Sequence, residues 1–467
     1  MEKALLIDIG STYTKVSLVD LSNAELIARS RAYTTIEEGV NIGLKNALSS
    51  IKDWYQAEYK LACSSAAGGL RMIAVGLVPE LTAEAARRAA LGAGSKVIKT
   101  YAYQLTEEDI KEIEQSCPDI ILLAGGTDGG NKENIILNAR KLAESKISLP
   151  IIIAGNRSAA DIVKIILQDA DKEIYLTENV MPELEKLNIE PARELIREIF
   201  LKKIIIAKGL TSVNKIIDGI IMPTPSAVLQ AAGILAEGCG DETGLGELIV
   251  VDVGGATTDV HSVATGKPTR SNVNWHGLQE PYQKRTVEGD LGMRYSMETL
   301  FEAVDEDLLK KQLLQVSDET FSISDCHDLV ERLSENPEQN TMGEESEIEN
   351  ILAYNAVRIS TARHVGVLKT IYTPLGSTFI QEGKDLTGIK YVIGTGGIIV
   401  NNERPEFILS GALYNNQQNP QLLAPIEPGF MVDSEYILAA GGLIAEIDPE
   451  KACGFMKKYL QPINKVI

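Results

Sequence analysis

"LLIDIGSTYTKVSLVD" (residues 5–20) and "ELIVVDVGGATTDVHSV" (residues 247–263) decide how this chain folds. In each, an apolar strand runs into an aspartate, Asp8 or Asp252, then a turn of glycine and hydroxyl residues, then a second strand. One such hairpin is a commonplace turn. Its recurrence about 240 residues later predicts a duplicated lobe and not a short repeat array. A hairpin tip needs no acid on its inner strand. Beside glycines and hydroxyls, however, a carboxylate suits a metal and a phosphate. Glycine turns let backbone N–H groups approach phosphate oxygens, and Mg²⁺ takes one or two carboxylates plus phosphate. Two lobes facing each other across a cleft would bring Asp8 and Asp252 together as the metal pair. A third glycine turn, Gly394-Thr395-Gly396-Gly397 in "YVIGTGGIIV" (residues 391–400), completes the set.

Composition bounds the rest. At 467 residues, two or more domains are expected. A formal charge of −20 argues against nucleic acid or an anionic membrane as the main partner. The five cysteines, Cys63, Cys117, Cys239, Cys326 and Cys453, form no close pair, which argues against a disulfide framework, a zinc finger or an iron–sulfur cluster. No charged stretch precedes an apolar run at the N-terminus and no apolar run reaches membrane-spanning length. A cytoplasmic protein is therefore expected.

Between the repeated hairpins the rhythm changes. "KVIKTYAYQL", "DIILLAGGTDGG", "LPIIIAGN" and "KEIYLT" read as strands, several of them continuous apolar runs, alternating with helices. Thr106–Asp109 and Ser158–Asp161 read as capping boxes, and Asn131 as a cap. This pattern predicts a Rossmann-like parallel α/β domain inserted into the first lobe. Residues 194–237 read as mainly helical, broken at "MPTPSAVLQAAGIL" by Pro223 and Pro225. Residues 293–370 read as helical and acidic, with "SENPEQNTMGEESEIEN" (residues 334–350) as a loop.

The three motifs resemble the phosphate-1, phosphate-2 and adenosine motifs of the actin, Hsp70 and sugar-kinase superfamily. The resemblance places Asp8, Gly10, Ser11 and Thr12 on the first, Asp252, Gly254, Gly255, Thr257 and Asp259 on the second, and Gly394, Thr395, Gly396 and Gly397 on the third. "TPSAVLQAAG" resembles the helix connecting the lobes and "SEYILAAGGL" the closing helix. The implied fold is α/β: two duplicated ribonuclease H-like, actin-like ATPase lobes with the Rossmann-like insertion. Residues 1–75 and 201–240 belong to the first lobe, 76–200 to the insertion, and 241–467 to the second lobe with its helical insertion at about 293–370. The implied cofactors are ATP and Mg²⁺.

A closer resemblance spans the chain. "ACSSAAGGLRM", "ILLAGGTDGG", "MPTPSAVLQAAG", "VDVGGATTDVHSV" and "TVEGDLGMR" look like the glutamate mutase accessory family, sometimes called MutL and unrelated to the mismatch-repair protein of that name. That resemblance implies an ATP-using chaperone that reactivates an adenosylcobalamin-dependent aminomutase. The adenosylcobalamin then belongs to the client, and the insertion is a partner-binding or swivelling module. One departure matters. Hsp70-like chains carry a catalytic glutamate just before the proline of the connecting helix, where this chain has Thr224. Gln230, further along, is the candidate to orient a water, so slow turnover is expected. Glu288, Asp290 and Arg294 in "TVEGDLGMR" read either as helix-capping groups or as a nucleotide or lobe contact. A small-molecule kinase and a filament-forming ATPase are the alternatives. Client and oligomeric state are not fixed by the sequence.

Overall fold

The computed structural model describes residues 2–10, 12–34, 40–65, 70–207, 217–316, 322–374 and 376–463. The strand Lys3–Ile9 is apolar on both faces except at Lys3 and Asp8, and it is covered on both sides. It pairs antiparallel with Tyr13–Asp20, which pairs antiparallel with the edge strand Glu25–Tyr33. On its other side Lys3–Ile9 pairs parallel with Tyr59–Ser64, and that strand pairs parallel with Gly219–Pro223. The edge strand alternates exposed and half-buried residues, as a sheet margin with one wet face should.

The second lobe repeats this plan. Leu248–Val253 pairs antiparallel with Thr258–Val263, which pairs antiparallel with Gln283–Glu288. Tyr391–Thr395 and then Gly429–Val432 add in parallel on the other side, and Gln461–Ile463 closes the sheet. The chain is thus an α/β protein of two duplicated lobes, as the paired hairpins predict. A smaller sheet of Val273–His276, Val367–Thr373 and Gly376–Glu382 attaches to the second lobe.

Two helices fill the space between the lobes. Thr224–Glu237 begins directly after the last strand of the first sheet, and all eight residues of Ile437–Ile444 are buried. They share one core with Ala4 and Leu6 of the first lobe and Leu248 and Val250 of the second. The helices approach so closely that a Cβ at Gly442 would overlap the carbonyl oxygen of Ala227. Only glycine permits this crossing.

A separate sheet holds Lys96–Tyr101, Arg71–Val75, Ile120–Leu123, Ile151–Ile153 and Ile174–Leu176, in that order, every neighbouring pair parallel. The order is that of a doubly wound sheet. Arg71–Val75, which a boundary at residue 75 leaves with the first lobe, sits inside this sheet. Leu70, Met72 and Ala74 also share a core with Leu5, Ile7 and Ile9.

Local expectations divide. Thr106 and Asp109 form the reciprocal capping box, and Asn131 Oδ1 accepts the Asn134 N–H at 3.1 Å. Ser158 does not cap: the helix Ala160–Gln168 starts from Ala159, and the Ser158 N–H is taken by Asn156 Oδ1 at 2.9 Å. The strand Gly219–Pro223 interrupts the stretch read as helical. The acidic segment at 334–350 is a loop only over 336–343, because Ile323–Glu335 and Glu344–His364 are helices that enter it from both ends. Among the described residues no helix is long and apolar enough to cross a membrane.

Candidate functional site

The two hairpin turns are built alike. The Gly10 N–H donates to the Tyr13 carbonyl at 3.1 Å, and the Gly254 N–H to the Thr257 carbonyl at 2.9 Å. A Cβ at Gly10 would lie 2.7 Å from the Tyr13 oxygen, so the turn requires glycine. The turns meet across the lobes: a Cβ built at Gly255 would lie 3.2 Å from Thr12 Oγ1. That hydroxyl is buried and has no hydrogen-bond partner. A buried hydroxyl without a partner is costly and has a proton to donate.

Charge gathers on the strands that lead into these turns. Lys15 stands opposite Asp8 on the hairpin, with Nζ 3.6 Å from Asp8 Oδ2 and 4.2 Å from the centre of the Tyr436 ring. Burial works to lower the Lys15 pKa, but Asp8 and Asp252, with Tyr436 and Asp433, outweigh it and raise it. Burial pushes Asp252 up to about 7, helped by Asp259 and Asp8 and opposed by Lys15. Asp433 is raised by burial against the pull of its donors. Those donors are the N–H groups of Ile437 and Leu438 at 2.6 and 3.2 Å and the Thr395 hydroxyl at 3.1 Å. The closing helix therefore starts on Asp433, whose carboxylate meets its positive end. Excess carboxylate around one lysine, with one acid poised near neutrality, suits a divalent cation together with an anionic ligand.

The MutL protein family model matches residues 4–460. Protein MutL of Clostridium tetanomorphum is 49% identical over 466 residues, spanning 98% of this chain and 99% of that protein. The chain belongs to the MutL family. Its fold is also similar to that of the activator of 2-hydroxyisocaproyl-CoA dehydratase from Clostridium difficile, solved with bound ADPNP. That match has 11% identity and a TM-score of 0.31, and covers 100% of this chain and 99% of that one. A xylulose kinase from Lactobacillus acidophilus matches at 9% identity and a TM-score of 0.33, covering 99% and 93%. Similarity at this level concerns the fold alone.

In this MutL-family chain the residues predicted for the site fall into three groups. Asp8, Gly10, Thr12, Gly254, Gly255 and Thr257 line the meeting turns, with Asp252 at the end of its strand, while Ser11 lies outside the described residues. Gly396 (φ +96°) packs against the end of the Asp252 strand, where a Cβ would overlap the Val253 carbonyl. Gly394 packs beneath it against Ile399 and Leu409, Thr395 stands beside Asp252 in the sheet, and Gly397 opens the short helix that follows. Asp259 turns away from the cleft toward a buried arginine.

Gln230 is not brought to the site. Its amide donates to Glu446 Oε1 at 3.0 Å, since six residues along a helix carry a side chain about 9 Å from the Thr224 end. Thr224 itself is at the centre, donating its hydroxyl to Asp8 Oδ1 at 2.6 Å. Glu288 and Asp290 both pair with Arg363, at 2.7 and 2.9 Å, and cap no helix. Arg294 pairs with the buried Glu349 at 2.5 Å, while its N–H donates to the Gly255 carbonyl at 2.8 Å. This loop thus braces the Gly254–Thr257 turn. Sequence reasoning did not single out Lys15, Asp433 or Cys63, whose thiol lies 3.6 Å from Asp8 Oδ1 and is pushed far up by burial and then by Asp8.

Proposed function

We propose that this chain binds Mg-ATP between its lobes, hydrolyses it slowly, and uses it to reactivate an adenosylcobalamin-dependent aminomutase such as glutamate mutase. The observation that carries the nucleotide reading is the orphaned Thr12 hydroxyl, buried where two glycine turns meet, on hairpins that also carry Lys15, Asp8 and Asp252. Gly10, Ser11 and Thr12 on one side and Gly254, Gly255 and Thr257 on the other would hold the phosphates. Gly394–Gly397 would face the nucleoside, and Asp8 and Asp252 the metal. Mg²⁺, when bound, offsets phosphate charge. Lys15 does the same from the protein side, and the carboxyl of Asp252 gives up its proton near neutral pH. Thr224 holds Asp8 by a hydroxyl and cannot serve as a base, which supports slow turnover.

Membership in the MutL family supports the accessory role, with the client's cobalamin lying outside this chain. The parallel-sheet module is the partner-facing part in this reading. The test is a reactivation assay. Glutamate mutase inactivated with hydroxocobalamin should recover activity with this protein, Mg-ATP and fresh adenosylcobalamin, and the Asp8→Ala variant should fail. If glutamate, ornithine and lysine aminomutases all stay inactive while ³²P passes from ATP to a small metabolite, the chain is a kinase.

A further inference from the structure

Asp259 leads out of the site. One of its oxygens accepts from the Thr257 hydroxyl at 3.1 Å, and the other from Arg285 Nε at 2.7 Å, with Nη2 at 2.5 Å. The Arg285 side chain is only 3% exposed. Its remaining donor, Nη1, crosses to the carbonyl oxygens of Leu91 at 3.1 Å and Ser95 at 2.9 Å. The Leu91 carbonyl is in the last turn of the helix Glu84–Gly92 and the Ser95 carbonyl in the loop that follows it, at the root of the parallel-sheet module. The same corner is held from the opposite side. Gly94 (φ +86°) packs so closely on the start of the connecting helix that a Cβ would lie 2.6 Å from Ser226 Oγ and 2.8 Å from Pro223 Cβ. The next residue after Pro223 is Thr224, bonded to Asp8. Arg88 adds a third tie, to Glu280 at 3.1 Å and to the Gln279 carbonyl at 3.0 Å.

We propose that Arg285 is a positioning residue that transmits occupancy of the second phosphate turn to the Leu91–Ser95 corner, and so to the module. The inference rests on the nucleotide reading above. Thr257 has a single hydroxyl proton. A phosphate at the Gly254–Thr257 turn competes with Asp259 for it, and Asp259 then leans wholly on Arg285. The guanidinium is planar, with two contacts on a carboxylate and two on carbonyls. A shift at one end therefore changes the geometry at the other. Nucleotide and module are coupled only if these contacts differ between the two states.

The experiment is amide hydrogen exchange over Leu91–Lys96 with and without Mg-ADP and a non-hydrolysable Mg-ATP analogue, alongside calorimetry of nucleotide binding. In the wild-type protein nucleotide should change exchange there by about tenfold. In R285K, whose single ammonium cannot span Asp259 and both carbonyls, nucleotide should still bind but the response should vanish. D259N, which keeps the shape and removes the charge, should weaken the response and provides the check if R285K proves unfolded by circular dichroism. Nucleotide binding with unaltered exchange at Leu91–Lys96, or a full response surviving in R285K, overturns the inference alone. Absence of nucleotide binding to the wild-type protein overturns the nucleotide reading and this inference with it.

Discussion

Asp252 gives the site a pH signature. Its folded pKa of about 7 lies above the ordinary carboxylate range, so between about pH 4 and 7 the folded state holds a proton that the unfolded chain has lost. Stability from this group therefore falls as pH rises through that window and levels off above it. Asp252→Asn, neutral at every pH, should melt close to wild type near pH 4 and progressively above it toward pH 8. A constant offset across the range would show that the acid is not perturbed. Thr224 gives a second test. A glutamate there places a carboxylate beside Asp8, where a hydroxyl now donates at 2.6 Å. Thr224→Glu should lower the melting temperature in chelator and show a larger rise on adding Mg²⁺ than wild type. Asp8 and Asp252 were legible because their motifs are local in sequence. Cys63 was not, because it matters only through Asp8, far along the chain, and Asp433 was not, because its place at the site depends on Thr395 and Lys15.

At the scale of elements, the glycine at the helix crossing sets the sharpest expectation. Gly442→Ala forces a methyl into the Ala227 carbonyl, and overpacking of this kind costs about 1–3 kcal/mol. The loss should appear as a lower denaturation midpoint with an unchanged slope, and an unaltered midpoint would mean that the helices part freely. Element signals read well where one cap or one period governs. The Thr106–Asp109 box is an example, since both reciprocal bonds form within four residues. They read poorly where a distant residue competes. Asn156, whose amide also binds the Gly130 and Asn131 carbonyls, claims the Ser158 N–H and leaves the expected cap unused. The five-residue strand Gly219–Pro223, ending at a proline, has too little period to separate from its helical flanks, yet it completes the first sheet.

For the whole molecule, the duplication was legible because two hairpins repeat one grammar. The limit of the inserted sheet was not, because Leu70, Met72 and Ala74 pack into the core that also holds Leu5, Ile7 and Ile9. A core shared in this way should melt as one unit, so calorimetry should show the first lobe and the parallel sheet unfolding in a single transition. Two resolved endotherms, with residues 70–200 alone accounting for one of them, would count against it. The paired hairpins have one further consequence. The position facing Asp8 across its hairpin is Lys15, and the matching position facing Asp252 is Asp259. Equivalent places in the two halves thus carry opposite signs. Lys15 keeps its charge among the carboxylates where the hairpins meet, whereas the charge of Asp259 is met by Arg285, so only one of the two hairpins offers that place a positive group from this position.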